Sequence, residues 1–78
     1  MSKALYTSKN LALVSLLKKA REDKGMTQIE LSSRIVRSQS YVTKYENNER
    51  SLKVTEFIEI CEALDIDPVE LIKIIKNV

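Results

Sequence analysis

The 78-residue chain has no histidine, one cysteine, one glycine and one proline. Each scarcity excludes something. With Cys61 as the only thiol and no imidazole, the usual sulfur and nitrogen ligands of a zinc site are missing, and carboxylates alone would have to hold a metal. No metal, cofactor or catalytic residue is expected. A lone cysteine forms no internal disulfide, so a reducing, cytoplasmic setting is expected. The longest unbroken apolar run is four residues, Leu11 to Val14, far short of the ~20 that cross a bilayer. "MSKALYTSKN" at the N-terminus has no apolar core of the signal-peptide kind, so no membrane partner is expected. No small-molecule ligand is suggested either. Gly25 and Pro68 are the only strong punctuation, and no stretch alternates cleanly over strand length. Helices are therefore expected throughout.

What is present suits a single folded domain. Charged residues make up 31% and apolar ones 44%, a balance unlike that of a disordered chain. The net charge is only +2, but its distribution is uneven. Met1 to Lys53 holds 11 Lys/Arg against 5 Asp/Glu, or +6, and Val54 to Val78 holds 2 against 6, or −4. A basic half that faces a polyanion, with an acidic half turned elsewhere, accounts for such segregation.

Five helices can be read from spacing and caps. Leu13, Leu16, Leu17 and Ala20 recur at helical intervals over residues 10–23, and Gly25 falls where a left-handed cap belongs. Residues 1–9 read as a flexible arm. "TQIE" sets Thr27 and Glu30 as a capping box for a second helix, with Leu31 and Ile35 inward and Ser32 small enough for close approach. Ser38 caps a third, which buries Val42 and Tyr45. A fourth sets Val54, Phe57, Ile58, Cys61 and Leu64 on one face and Glu56, Glu59 and Glu62 on the other. On that stripe Cys61 reads as a structural thiol. "DPVE" starts the last helix, over 68–77, with Asp67 as cap and Pro68 at its first position.

In order and spacing, "REDKGMTQIELSSRI", "SQSYVTKYENNER" and "FIEICEALDIDPVEL" resemble the Cro/C1-type (Xre) helix-turn-helix regulators over about residues 11–72. The resemblance implies an all-α, lambda-repressor-like bundle of five short helices spanning 10–78, with the helix-turn-helix motif at 27–46. It implies a sequence-specific regulator of transcription whose partner is double-stranded DNA, with the third helix in the major groove. Carried over by position, Gln28 should hold a phosphate and buttress Gln39. Gln39, Ser40, Thr43 and Lys44 should face the groove, with Gln39 placed to bond adenine. Arg37 and Ser38 should touch the backbone or a flanking base, and Asn47 and Arg50 should clamp phosphates. For Tyr41, a phosphate contact and a packed ring stay equally open. Arg21 and Glu46 match a buried structural ion pair. The sequence departs from the pattern at Val36 and Asp65, where glycine is usual, and at Lys53, where a capping Asp is frequent. A reshaped or strained turn is the expectation at Val36.

The last helix has more apolar surface than one side of it can bury. Val69, Ile72, Ile74, Ile75 and Val78, with Leu71, cover a wide arc, which suggests a homodimer interface. An operator-binding repressor or controller acting as a dimer on a near-palindromic site follows as the leading function. The alternative is the same fold used as a protein–protein interaction module or antitoxin.

Overall fold

The computed structural model describes residues 3–78, and side chains from Leu5 onward. A 3-10 turn at Lys3–Tyr6 leads into α1 (Ser8–Asp23), α2 (Gln28–Arg34), α3 (Gln39–Glu46), α4 (Val54–Ala63) and α5 (Pro68–Ile75). Met1 and Ser2, part of the expected arm, lie outside the described residues. Of the rest of that arm, Lys3–Tyr6 form the 3-10 turn, Thr7 is the N-cap of α1 and Ser8 begins it. Asn10 ties this start down: its Nδ2 donates to the Leu5 carbonyl at 3.0 Å. At the other end α5 stops at Ile75, short of the expected residue 77, with Lys76 as its cap.

Each helix start follows from a side chain in reach of an orphan N–H. Thr7 accepts from the Asn10 N–H, Ser38 from Tyr41 and Asp67 from Val69. Thr27 and Glu30 form both halves of a capping box. Lys53 has no acceptor atom to offer the N-terminus of α4. Glu56 supplies the other half alone, accepting from the Lys53 N–H at 2.8 Å.

The first four helices all end in the same way. The residue after the cap has positive φ: Gly25 (66°), Val36 (55°), Asn48 (58°) and Asp65 (55°). Around each run the paired hydrogen bonds of a Schellman motif, such as Arg37 N–H to Ser32 O at 2.9 Å and Val36 N–H to Ser33 O at 3.2 Å. At Val36 the turn is therefore not reshaped. It keeps the left-handed geometry with a β-branched residue in it, and Val36 is 88% exposed. No packing compensates the backbone cost of about 1–2 kcal/mol.

The core is built from Leu17, Leu31, Val42, Tyr45, Ile60, Cys61 and Leu64, all fully buried, with Met26, Tyr41 and Phe57 around them. Helix α4 is rotated relative to the sequence-based expectation. Its buried stripe is Phe57, Ile60, Cys61 and Leu64, while Val54 and Ile58 are exposed and Glu56 is buried. Positions 54, 57, 58 and 61 and positions 57, 60, 61 and 64 share the same helical spacing, so packing and not spacing selects the buried face, and a buried Glu56 needs partners that spacing cannot reveal.

Candidate nucleic-acid interface

Helices α2 and α3 pack against each other across the Ile35–Ser38 joint, and α1 packs behind α3. This leaves the polar first residues of α3, Gln39 and Ser40, facing out while Tyr41 and Val42 turn inward. Ser38, Gln39, Ser40 and Lys44 are exposed, and Thr43 is half-buried. Ser38 is committed as the cap, and its oxygen lies 3.4 Å from that of Ser40. Gln39 carries a free amide on the first turn, and small neighbours there permit close approach to a flat or grooved surface. Lys44 stands a turn further on, without an ionic partner among the described residues.

A buried polar network fixes this face to the scaffold. Arg21 on α1 donates to Glu46 at the end of α3 through Nε (2.8 Å) and Nη2 (3.1 Å), and through Nη1 to the Met26 carbonyl (2.8 Å). The side chains are 10% and 2% exposed. The bond to Glu46 holds the Arg21 guanidinium above its ordinary range, against the opposing effect of burial. Gln28 extends the network: its Nε2 donates to Glu46 Oε1 at 2.9 Å and its Oε1 accepts from the Thr43 hydroxyl at 2.8 Å. The expected buttress from Gln28 to Gln39 is absent. Gln28 links Glu46 to Thr43 instead, because the start of α2 faces the second half of α3 and not its start. Thr43 thus has its proton committed inward and keeps only acceptor capacity for anything outside.

A second cluster lies beside the start of α3. Tyr41 is buried, and its ring is flanked by two guanidiniums, Arg50 at 4.4 Å and Arg37 at 5.2 Å from the centroid. Both distances lie within cation–π range. Glu56 lies between them: Arg50 Nη2 is 3.3 Å and Arg37 Nη2 is 3.9 Å from its Oε2. Arg37 also reaches Glu59 at 3.4 Å. Burial first, and the Glu56 charge next, push the Tyr41 hydroxyl up to about 12. Of the two readings open for Tyr41, the packed ring is the one the fold takes. Arg37, expected at the backbone or a flanking base, and Arg50, expected as a phosphate clamp, are both paired internally, and each side chain remains 40% exposed. Asn47, the C-cap of α3, is exposed nearby. The helical pattern places Glu56 on the polar face of α4 and gives it no role at the site. Its signal in the sequence was a Glu three positions after a residue that cannot cap.

Helix α5 has no buried residue at all. Val69, Ile72, Ile74 and Val78 are all about half exposed, while Ile75 is partly covered. Ile72 and Ile75 line an apolar groove with Leu13, Leu52, Val54 and Phe57, of about 190 Å³. Cys61 is buried away from both faces, and burial raises its thiol to about 11, which leaves it unreactive.

Residues 17–71 match the helix-turn-helix family model. An XRE-family like protein from Pseudomonas syringae pv. tomato str. DC3000 shares 40% identity and superposes with a TM-score of 0.88, over 96% of this chain and 92% of that one. The chain belongs to the XRE family of helix-turn-helix proteins. As a member of that family it is a DNA-binding transcriptional regulator. Among further XRE-like folds, the wild-type restriction-modification controller protein C.Esp1396I is 28% identical with a TM-score of 0.75, covering 99% of this chain and 95% of that one. The same controller, as a tetramer in complex with its natural 35 base-pair operator, superposes with a TM-score of 0.74 at 28% identity. No curated protein matches the chain. Among the described residues no helix is long and apolar enough to cross a membrane.

Proposed function

We propose that this XRE-family chain is a repressor or controller that reads a near-palindromic operator as a homodimer, in the cytoplasm and without enzymatic activity. The observation that carries the reading is the outward face of α3, with polar Gln39, Ser40 and Lys44, on a scaffold locked by Arg21, Glu46 and Gln28. Gln39 reads a base, with Ser40, Lys44 and the acceptor side of Thr43 along the groove. Ser38, Gln28, Asn47, Arg37 and Arg50 serve the DNA backbone. Gln28 does so through its helix-start N–H, since its side chain is occupied.

Size argues for two copies. The molecule measures 29 Å in its longest dimension, whereas successive major grooves on one face of a duplex recur every 34–36 Å. One copy fills one half-site. The half-exposed apolar residues Val69, Ile72 and Ile74 of α5 and Val78 beyond it, with the groove that Ile75 lines, supply the contact for a second. A two-fold arrangement uses that surface twice. The controller solved as a tetramer on its operator supports this reading of a related fold.

Selection of bound duplexes from a random pool, followed by a salt titration on the winner, tests the proposal. Enrichment of an inverted repeat and a steep fall of affinity with salt are expected. No enrichment, with salt-insensitive binding to a protein partner instead, would make the chain an interaction module.

A further inference from the structure

The clustering of Arg37, Arg50, Tyr41 and Glu56 raises a question that charge alone answers badly. A surface meant for phosphate gains nothing from a carboxylate beside its arginines, yet Glu56 contacts both. Glu56 is 6% exposed, and its Oε1 is pinned by the Lys53 N–H at 2.8 Å. It cannot swing aside when an anion arrives. The arginines are differently placed: each keeps 40% of its side chain in solvent. Arg50 spends Nη2 on Glu56 and Nε on the Ser51 carbonyl at 3.4 Å. Arg37 spends Nη2 on the two carboxylates. A guanidinium has five N–H donors, so each retains donors that these carboxylates and the Ser51 carbonyl do not engage. Stacking on one buried ring removes most of the rotamer freedom that a long basic side chain otherwise loses on binding.

We infer that Glu56 is a positioning residue, which holds Arg37 and Arg50 on the Tyr41 ring so that their remaining N–H groups meet the DNA backbone beside the start of α3. The inference rests on the DNA-binding reading above and adds the residue that organises its backbone contacts. Pre-ordering outweighs the repulsion between Glu56 and the duplex because Glu56 faces the arginines and not solvent. Arg37, Arg50, Glu56 and Glu59 together sum to zero, so what the cluster offers the phosphates is its pre-placed N–H groups and not net charge.

The test substitutes Glu56→Gln, which keeps an oxygen for the Lys53 N–H and removes the charge. Simple electrostatics expects every duplex to bind the variant more tightly, since a negative charge is gone. Positioning expects the opposite on the selected operator: roughly a fivefold or greater loss, with the salt slope shallower by about one contact. In the Glu56→Gln background, Arg50→Ala should then cost much less than it does in the parent. Relaxation of the Arg37 and Arg50 Nε–H groups in the free protein should change from restrained to mobile. Should Glu56→Gln unfold, Arg50→Lys decides: it keeps the charge and loses the fork, so positioning expects a loss close to that of Arg50→Ala. Tighter binding of Glu56→Gln to operator and random duplex alike, or parental affinity of Arg50→Lys, overturns the inference while leaving DNA binding intact. A parent that binds no duplex overturns both.

Discussion

Helices α3 and α5 are each eight residues long, and they solve opposite problems. Helix α3 buries Tyr41, Val42, Tyr45 and Glu46 and leaves its polar start outside. Helix α5 buries no residue fully, covers Leu71 and Ile75 only in part, and leaves valine and isoleucine outside. The first is finished within one chain, since its inward charge, Glu46, is met by Arg21 and Gln28. The second is capped correctly at both ends, by Asp67 and by Lys9, whose Nζ donates to the carbonyls of Lys76 and Val78 at 3.1 and 3.0 Å. What it lacks is cover. A surface helix that is well formed and apolar on its outer face has its packing partner elsewhere. Rigidity is thus concentrated under the reading surface, and incompleteness at the opposite end of the sequence.

The sharpest way to break this contrast is to unlock α3. Glu46→Ala leaves Arg21 buried without its carboxylate and Gln28 without an acceptor, and should cost about 3–5 kcal/mol of stability. Urea denaturation checks it; a loss below about 1 kcal/mol would mean that the pair behaves like an exposed one. Next comes α5. Ile72→Glu combined with Ile74→Glu should give a folded monomer by sedimentation and weaken operator binding by ~10²-fold or more, as the linked second half-site is lost. An unchanged oligomer would place the interface off this helix.

Smaller effects sharpen the comparison. Gln39→Ala should cost about 1–3 kcal/mol on the selected operator, and at one base position discrimination should relax while the salt slope stays put. Equal losses on random duplex would remove Gln39 from the readers. The smallest expected change is a gain. Val36→Gly relieves the left-handed strain in the joint before α3 but adds freedom to the unfolded chain, for a net stabilisation of about 1 kcal/mol. In a domain of this size that raises Tm by roughly 4–8 °C. A melting point that falls instead would show that Val36 contributes contacts its exposure does not suggest.

Much of the local structure was legible because it depends on neighbours in the chain. Thr27 and Glu30, Ser38, Asp67 and Pro68 mark helix starts through hydrogen bonds spanning two or three residues. Gly25 marks a stop through its own φ. Val36 shows the limit of that reasoning. Its side chain argues against the conformation it adopts, and the Schellman hydrogen bonds that close α2 hold it there. The DNA-facing set around Gln39 came from resemblance to a family, since nothing in a polar helix start names its partner.

By itself, the sequence determined the number and order of helices, their caps, the segregation of charge and the excess of apolar residues after Pro68, for all of these are local or additive quantities. The tertiary structure alone decided which way α4 faces, that Gln28 bonds Glu46 and Thr43 rather than Gln39, and that Arg37 and Arg50 share Glu56 over Tyr41. Those pairings join residues from separate helices and loops. A hydrogen bond formed over a few ångströms depends on where whole helices cross, which side-chain spacing along one helix does not encode.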